Sequence, residues 1–437
     1  MKNYPKLPEL SEKINKYIQY AALKHEYGAE GIEIGAKNLE TAIDSALGSL
    51  VGLPNCETLS AKEPDAYEKI IELRTDGPRR LWKSFDKEKY ADRLAGAFVS
   101  RAAGCTLGAP VEFWSVDEME NWARHIGDAF PPVAYWSGVP HPYRLRYGKS
   151  ECRAYTRSGM DGVPVDDDLA YTLLGLLIME DYGPGLTTGD VGAAWLKYLP
   201  YACTAEDVAL KNLRVGVDAR DAADIDNPYC QWIGADIRSD PWAYMAPGLP
   251  EEAARLAYLD AYVSHRRNGI YGAMFFSAAQ AAAFELDDPI EAVKIGMTEI
   301  PRECALYEDI AWALGEISSV KDYRQARRAV DDKFEGMSGV HTNLNACLTV
   351  FGLGIGGRDV TKVLSETVAM GQDNDCTAAT AGSIVGAAVG IKNVPPAWHE
   401  KFNNKIASYL NGSDWFAIDD LFVRFARQAK RVFESLK

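Results

Sequence analysis

The sequence has a deficit of basic residues and lacks a long apolar run. Its 437 residues include 47 Lys and Arg against 62 Asp and Glu, so the formal net charge is −15. Non-specific binding to nucleic acid needs a basic surface that displaces counterions from phosphates, so we expect no nucleic acid partner. The longest apolar stretches, 274–284 and 382–391, are too short to span a bilayer, and the first residues contain no apolar signal segment. The sequence therefore predicts a cytoplasmic protein with no membrane partner, and it indicates no oligomeric state.

Paired cysteine motifs are also absent. The eight cysteines are spread along the chain, and none forms the CxxC spacing of a zinc ribbon. We expect all eight to be small buried residues in a reducing compartment.

Alternating strand patterns are scarce, whereas apolar residues recur at intervals of three and four, as in Leu169, Leu173 and Leu176. This spacing predicts an all-α fold. Residues 1–87 predict about three amphipathic helices, broken near 28–31, 52–54 and 77–78, and we interpret them as an accessory N-terminal helical segment. Residues 88–437 are then the main domain.

One predicted helix has almost no side chains on one face. Ala378, Gly382, Gly386 and Gly390 follow one another at intervals of four. Each glycine in a helix costs about 1 kcal/mol relative to alanine, so three on one face need a compensating contact. We expect a central helix that another backbone approaches very closely.

Three consecutive acidic residues, Asp166, Asp167 and Asp168, stand at the start of a predicted helix. One aspartate would cap the free N–H groups of the first turn, where the helix dipole also favours negative charge. Capping needs only one carboxylate, whereas three neighbouring carboxylates repel one another unless a cation lies between them. A hard divalent ion with oxygen ligands is therefore the alternative to capping.

A second acidic helix start lies about 200 residues further along the chain. Asp373 and Asp375 precede the glycine-faced helix, whose packing would hold both near the core. Buried carboxylates are rarely left without a counter-charge, so the two helix starts predict a di-metal cluster if they converge. A cap and a turn are the simpler interpretation of this segment alone. A third segment, from Gly104 to Glu112, is by itself typical of a helix end and a loop.

Residues 352–357 match the GxGxxG pattern of dinucleotide-binding proteins. That fold needs repeated strand and helix alternation on a parallel sheet, and the flanking segments here have helical patterns. We therefore interpret these glycines as a turn between helices.

Taken in order, four segments resemble the ADP-ribosylglycohydrolases, relatives of the dinitrogenase reductase-activating glycohydrolase. They are LAGAF followed by GCTLGAPVE, the DDD helix start, SHRRNGIYGA, and GQDNDC followed by ATAGSIVGA, within about residues 88–395. The chain is most similar to a bacterial branch with D-x-D-C as its last motif and a stretch like WIGADIR at 232–238. The resemblance implies an orthogonal all-α helical bundle, here with an N-terminal helical extension, and a binuclear Mg²⁺ or Mn²⁺ site.

The resemblance also implies a ligand set. By position, the metal ligands are Asp166, Asp167, Asp168, Asp373, Asp375 and Cys376. Two positions depart from the family pattern, because Asp166 and Cys376 stand where threonine hydroxyls are usual. Sulfur suits Mg²⁺ poorly, so we expect one or two ions, with the second bound weakly and Cys376 not directly ligated.

The activity that the resemblance implies is hydrolysis of the glycosidic bond between ADP-ribose and a modified protein or small molecule. Metal ions would bind the ribose diol and lower the pKa of a water. Asp168 or Glu112 would then align or deprotonate that water for attack on the anomeric carbon. The residues alone do not decide between these two carboxylates.

The central motif supplies the candidate substrate contacts. His265 matches the family's Ser-His and is expected to touch the substrate, with a surface or capping role as the alternative. Backbone N–H groups around Asn268 and Gly269 are candidates for the phosphates. Tyr271 and Trp114 are candidates for stacking on adenine, and core packing is the alternative for each ring.

Two other functions stay open. Crystallin-like members of the family keep the fold without activity, and the departures at Asp166 and Cys376 are compatible with such a binding protein. Retention of four aspartates at ligand positions argues against it, because uncompensated buried charge is costly. A hydrolase of another ribosyl conjugate is the second alternative.

Overall fold

The computed structural model describes residues 4, 5 and 7–436 of the chain. Most of these residues belong to 19 α-helices, and their only sheets are two short antiparallel ribbons. The all-α fold predicted from the spacing of apolar residues is confirmed.

Four helices precede residue 87 in the described part of the chain. They are α1 (Pro8–Glu26), α2 (Ile32–Val51), α3 (Glu57–Lys62) and α4 (Tyr67–Leu73). The predicted break at 28–31 is confirmed, and Gly28 and Gly31 there have φ of +73° and +81°. The predicted number of about three helices was too low, because α3 spans only six residues and is too short to show a helical period.

The described chain forms two compact units. Residues up to Ala61 belong to one unit together with Phe334–Met337, and the rest belong to the other. Residues 62–87 thus lie in the larger unit, where the Trp82 ring packs against Phe284 and Phe433 at centroid distances of 6.5 and 6.3 Å. The boundary near residue 87 stays a prediction.

The larger unit contains fifteen further helices among its described residues. They are α5 (Lys87–Gly108), α6 (Val116–Ile126), α7 (Asp167–Tyr182), α8 (Thr188–Tyr198), α9 (Thr204–Arg214), α10 (Asp240–Met245), α11 (Pro250–Ala261), α12 (Asn268–Ala283), α13 (Pro289–Met297), α14 (Ala305–Glu316), α15 (Tyr323–Lys333), α16 (Thr342–Gly356), α17 (Val360–Ala369), α18 (Asn374–Val389) and α19 (Ile418–Ser435). The ribbons pair β1 (Leu145–Arg146) with β2 (Ser150–Glu151), and β3 (Lys405–Ala407) with β4 (Trp415–Ala417).

Helices α5 and α18 pack against each other with their backbones in contact. A Cβ on Gly104 of α5 would lie 2.2 Å from the Ala378 carbonyl oxygen, and a Cβ on Gly382 of α18 would lie 2.3 Å from the Ser100 carbonyl oxygen. Every residue of α18 is buried. The close approach expected from the glycine face is therefore confirmed, and α18 is a central helix.

The GxGxxG segment belongs to a helix. Gly352, Gly354 and Gly356 lie within α16, and Gly357, with φ of +59°, is its C-cap. The interpretation as a turn was therefore wrong for the first three glycines, whereas Gly357 lies in the turn between α16 and α17. A Cβ on Gly352 would lie 1.9 Å from Thr367 Oγ1, so the glycine allows α17 to pack closely. The described residues contain no parallel sheet, and the dinucleotide-binding alternative is excluded on that ground.

All eight cysteines are free, and four of them are buried. Cys56 and Cys203 are exposed and Cys152 and Cys230 are half-buried, so the expectation that all eight are buried was wrong for these four. In the described part of the chain, every helix is either too short or too polar to cross a membrane.

Candidate metal centre

The first acidic helix start supplies one cap and two further carboxylates. Asp166 has extended backbone angles, and its Oδ1 accepts a hydrogen bond from Asp168 N at 3.3 Å, as a helix cap does. Asp167 Oδ1 accepts from the Tyr147 hydroxyl at 2.6 Å. Asp168 is fully buried. Its Oδ2 accepts from the Cys376 thiol at 3.2 Å, and its Oδ1 lies 3.6 Å from Arg101 Nη2. Capping therefore explains Asp166 but not Asp168.

The second acidic helix start is not a side-chain cap. Asp373 occupies the N-cap position of α18, yet its side chain accepts no capping hydrogen bond. The preceding residues Gly371 and Gln372 have φ of +72° and +62°, which turns the chain sharply into the helix. Asp373 and Asp375 are both buried. A cap and a turn thus do not account for the two carboxylates.

The end of α5 brings these helix starts and Glu112 together. A Cβ on Gly108 would lie 2.5 Å from Asp375 Cα, so only glycine lets α5 end against the first turn of α18. The Phe113 amide then donates to the Gln372 carbonyl at 2.9 Å, which fixes the turn that carries Glu112. The small residues in the segment from Gly104 to Glu112 therefore hold the acidic cluster in place.

The described residues offer three sets of ligand atoms, and within each set the atoms lie within 4.8 Å of one another. The sets are Cys105 with Asp166 and Asp168, Asp168 with Asp375 and Cys376, and Glu112 with Asp373 and Asp375. Asp167 is in none of them, and its hydrogen bond to Tyr147 turns it to the edge of the cluster. The structure thus brings together Glu112 and five of the six predicted ligands.

Three carboxylate oxygens of the cluster are buried without a hydrogen-bond partner among the described residues. They are Asp168 Oδ1, Asp373 Oδ1 and Asp375 Oδ1. An unpaired buried carboxylate oxygen is costly, and a hard divalent cation held by Asp375 with either Asp168 or Asp373 would lower that cost. The residues therefore fit a Mg²⁺ or Mn²⁺ ion.

The crowding of the carboxylates changes their acidity. Burial raises the pKa of Asp166 to about 8, although the Arg146 guanidinium opposes the shift. Burial raises the pKa of Asp375 well above its usual range, and the neighbouring Glu112 and Asp166 charges add to the effect. Burial also raises the pKa of Glu112, against the influence of Arg146. Without a cation, such groups take up protons instead.

Two cysteines lie within the cluster. Cys376 Sγ donates to Asp168 Oδ2 at 3.2 Å. Burial, followed by the Asp168 and Asp373 charges, raises the pKa of the Cys376 thiol well above its usual range. Cys105 is fully buried next to Asp166 and Asp168, and its position in the last turn of α5 carried no signal for a ligand in the sequence.

Arg146, which the sequence did not indicate, reaches the cluster from β1. Its Nη2 lies 3.1 Å from Glu112 Oε2, 3.1 Å from Asp166 Oδ2 and 3.5 Å from Asp375 Oδ2. Its Nη1 donates to the Ala109 carbonyl at 2.7 Å. The loop at 131–160 that carries Arg146 has no helical or strand period, so no sequence pattern pointed to this contact.

Arg101, in the middle of α5, is a second missed residue. Its fully buried guanidinium donates to the carbonyls of Asp168 and Ile237 at 2.9 and 2.7 Å. Its Nε lies 3.1 Å from Asp240 Oδ2, which also accepts from the Thr172 hydroxyl at 2.6 Å. Arg101 therefore connects the first turn of α7 to α5, and its hydrogen bond to the Asp168 carbonyl holds the backbone of Asp168 in position.

A cavity of about 530 Å³ opens next to the cluster. Glu112 and Arg146 line it where it meets the cluster, and its wall includes Trp114, Arg144 and Tyr147. A guanidinium can bind phosphate and an aromatic ring can stack on a base, so this wall suits a nucleotide-like ligand.

His265 lies outside that cavity lining and outside the three ligand sets. It is fully buried, and its Nδ1 lies 2.8 Å from Ser264 Oγ. Burial, and then the Arg238 charge, lower its pKa well below the usual range. Burial excludes the surface alternative, and contact with substrate stays a prediction.

The other predicted substrate contacts, at the start of α12, already have protein partners. The Gly269 amide donates to the Arg266 carbonyl at 3.1 Å, and the Asn268 amide group donates to Gln231 Oε1 at 2.8 Å. The Tyr271 hydroxyl donates to the Pro64 carbonyl at 2.5 Å, and its ring is buried. These contacts favour core packing for Tyr271, whereas Trp114 lines the cavity.

Comparison with known proteins gives one family. The model of the ADP-ribosylglycohydrolase family matches residues 86–431. A solved structure described as an ADP-ribosylglycohydrolase-related protein complex shares 17% identity, with 79% of this chain and 99% of that chain covered and a TM-score of 0.49. No curated protein matches the sequence.

Proposed function

The chain belongs to the ADP-ribosylglycohydrolase family, and from that premise we propose that it is a metal-dependent hydrolase. Its reaction is cleavage of the glycosidic bond in an ADP-ribosylated protein or small molecule, with release of ADP-ribose. Membership of the family supports a glycohydrolase of ADP-ribose conjugates. The metal dependence, the acceptor and the site residues belong to the proposal.

One observation carries the metal dependence. Asp168, Asp373 and Asp375 each have a buried oxygen without a hydrogen-bond partner among the described residues, and they come from two helix starts that converge. Asp375, with Asp168 or with Asp373, would hold the ion, and Asp166 and Asp167 lie beside them. When bound, Mg²⁺ or Mn²⁺ would supply positive charge that ligates the ribose diol and acidifies a water.

Glu112 is the better candidate for the general base. Its side chain is 28% exposed and lines the cavity, whereas Asp168 is fully buried and accepts the Cys376 thiol hydrogen bond. Burial raises the pKa of Glu112 above its usual range, which brings a carboxylate closer to the value that proton transfer near neutral pH requires. Asp168 would then position the reacting groups as a ligand.

The proposed reaction is a simple hydrolysis. A water gives a proton to Glu112, and its oxygen forms a bond to the anomeric carbon. The bond from that carbon to the modified nitrogen or oxygen breaks, and its electron pair stays on the leaving atom. Glu112 then returns the proton to the leaving atom, so that no net charge is left on the enzyme.

The cavity wall supports a substrate of the ADP-ribose class. Arg144 and Arg146 bring positive charge to a protein with a net charge of −15, and this charge suits a diphosphate. Trp114 and Tyr147 offer aromatic faces for adenine. Contacts from His265, Asn268, Gly269 or Tyr271 require the central motif to rearrange around the substrate. The cytoplasmic location stays a prediction.

The test measures ADP-ribose release from arginine-linked and serine-linked peptides and from a small-molecule conjugate. Protein stripped with chelator should be inactive and should recover with Mg²⁺ or Mn²⁺. Asp375→Ala should abolish turnover and metal binding while circular dichroism shows an unchanged helical content. Asp167→Ala should also abolish turnover, because the Tyr147 hydroxyl loses its acceptor and the Asp168 amide keeps only Asp166 Oδ1.

The alternatives give different results. A crystallin-like protein would bind ADP-ribose in calorimetry and release none from any conjugate. A hydrolase of another ribosyl conjugate would show metal-dependent turnover only when the diphosphate is absent from the substrate. If the activity of Asp375→Ala is within a few-fold of that of wild type, the metal-hydrolase proposal is overturned.

A further inference from the structure

Arg146 is held rigidly at the boundary between the cluster and the cavity. Its Nη1 is fixed by the Ala109 carbonyl at 2.7 Å. The centre of its guanidinium lies 5.5 Å from the Tyr147 ring and 5.6 Å from the Tyr155 ring. Only 19% of the side chain is exposed. The guanidinium is thus a fixed cation, whereas a surface arginine would move freely.

The cluster divides into two halves around this cation. Arg146 Nη2 lies within 3.1–3.5 Å of one oxygen each from Glu112, Asp166 and Asp375. Asp168 Oδ1, Asp373 Oδ1 and the other oxygen of Asp375 have no hydrogen-bond partner among the described residues, although Arg101 Nη2 lies 3.6 Å from Asp168 Oδ1. Asp375 therefore spans the two halves, with one oxygen facing the Arg146 guanidinium and one without a hydrogen-bond partner.

Asp166 gives the chemical reason for this arrangement. The family resemblance places a neutral threonine hydroxyl at this position, and the carboxylate adds one negative charge. Arg146 Nη2 lies 3.1 Å from Asp166 Oδ2 and supplies one positive charge. The departure in the ligand motif is thus matched by a guanidinium from a distant loop, and a divalent ion bound to the same oxygens would be repelled by it.

We propose that Arg146 permanently takes the place of a second cation, so that the protein binds a single divalent ion through Asp375 and one of its neighbours Asp168 and Asp373. This inference rests on the proposed metal-dependent function and assigns the residue that limits the metal count. The alternative cause of a weak second ion is the soft sulfur of Cys376. If Arg146 excludes the second ion, Arg146→Gln should bind two ions. If the sulfur of Cys376 weakens it, Cys376→Thr should bind two.

The test counts ions by calorimetry and by elemental analysis after gel filtration in Mn²⁺. Electron paramagnetic resonance then shows whether the bound Mn²⁺ ions are isolated or spin-coupled. Wild type should bind one ion and give the spectrum of an isolated Mn²⁺. Arg146→Gln should bind two and give the broadened spectrum of a coupled pair. Arg146→Lys keeps the charge and should bind one.

Two further variants serve as controls. Arg144→Gln removes a charge from the same loop and the same cavity wall, and it should leave the count at one. Cys376→Thr should raise the affinity for the bound ion without allowing a second ion to bind. Two ions in Cys376→Thr, with one in Arg146→Gln, would overturn the assignment to Arg146.

Wild type and Cys376→Thr together decide the matter, even if Arg146→Gln fails to fold. Two coupled ions in wild type overturn the role of Arg146 and leave the hydrolase proposal intact. One ion in each of the two proteins, together with no hydrolysis of any conjugate, supports the role of Arg146 and overturns the hydrolase proposal. No ion in wild type overturns both.

Discussion

The Cys376 thiol donates a hydrogen bond to Asp168 Oδ2 at 3.2 Å and so links the first turns of α18 and α7. Burial and the Asp168 charge raise the pKa of this thiol well above its usual range, so the sulfur keeps its proton. A protonated thiol donates to the carboxylate and leaves Asp168 Oδ1 for a cation. In the proposed site, the sulfur would thereby orient Asp168 without itself binding the ion.

Cys376→Thr should strengthen Mg²⁺ binding. A threonine hydroxyl can donate to Asp168 as the thiol does, and its oxygen adds a hard donor beside Asp375. Because groups around a metal ligand typically change affinity by 10–100-fold, we expect a gain on the order of tenfold for Mg²⁺. Calorimetric titration of wild type and variant with Mg²⁺ and Mn²⁺ measures it.

Cys347→Thr is the matched control for this substitution. Cys347 is also fully buried, but it lies in α16, where its thiol donates to the Asp309 carbonyl. This variant should keep wild-type affinity for both ions. Equal affinities in wild type and Cys376→Thr would mean that residue 376 does not face the metal.

Gly104→Ala should destabilise the protein by about 3 kcal/mol. Its Cβ would lie 2.2 Å from the Ala378 carbonyl oxygen, and the backbone of α18 cannot move aside as a flexible side chain could. Gly315→Ala in α14 is the control, because nothing lies within 4 Å of its Cβ. That substitution should stabilise the protein by about 0.5–1 kcal/mol through helix propensity. Urea unfolding of both variants measures these changes. A decrease of less than 1 kcal/mol in the free energy of unfolding of Gly104→Ala would contradict backbone contact between α5 and α18.

The contact of α5 with α18 was predictable because it follows from local chemistry. Glycines at intervals of four leave one helix face without side chains, and only another backbone can fill that gap. The two acidic helix starts were predictable for a similar reason, since charge repulsion among neighbouring aspartates acts within a few residues. In both cases the cause lies inside a single segment of the chain.

Arg146 and Arg101 were not predictable, because each acts through residues that are distant in sequence. Arg146 belongs to a loop without periodicity, and only the folded chain shows that it meets Asp375, 229 residues later. Arg101 stands among the small residues of α5 and reaches the Asp168 and Ile237 carbonyls. The sequence motif around His265 was visible, but its burial depends on packing that no local pattern encodes.

The metal-free protein should lose stability as the pH rises from about 5 to about 8. Burial raises the pKa of Asp240 to about 6, of Glu206 to about 7 and of Asp166 to about 8. In this range the folded protein holds more protons than the unfolded chain, whose carboxylates are ionised, so the free energy of unfolding falls with pH. We expect a decrease on the order of a few kcal/mol.

Urea unfolding at several pH values, with chelator or with saturating Mg²⁺, checks this dependence. Mg²⁺ binds the ionised carboxylates, so its stabilising effect should grow as the pH rises. Asp375→Asn should reduce that growth. Metal-free protein that becomes more stable between pH 5 and pH 8 would contradict the raised pKa values.

A chain that begins at Lys62 should keep the fold of the larger unit, whereas one that begins at Asp86 should lose about 3–5 kcal/mol of stability. The shorter chain loses Arg74 and Arg79, which lie 2.6 and 2.7 Å from oxygens of the fully buried Glu299 side chain, and it leaves that carboxylate unpaired. It also loses the buried ring of Trp82. Every ligand candidate lies after residue 100, so both chains should bind metal when folded. Urea unfolding and metal titration of the two chains test both expectations. Equal stability of the two chains would place the domain boundary near residue 87. Loss of metal binding in a folded chain beginning at Lys62 would show that the first 61 residues contribute to the site.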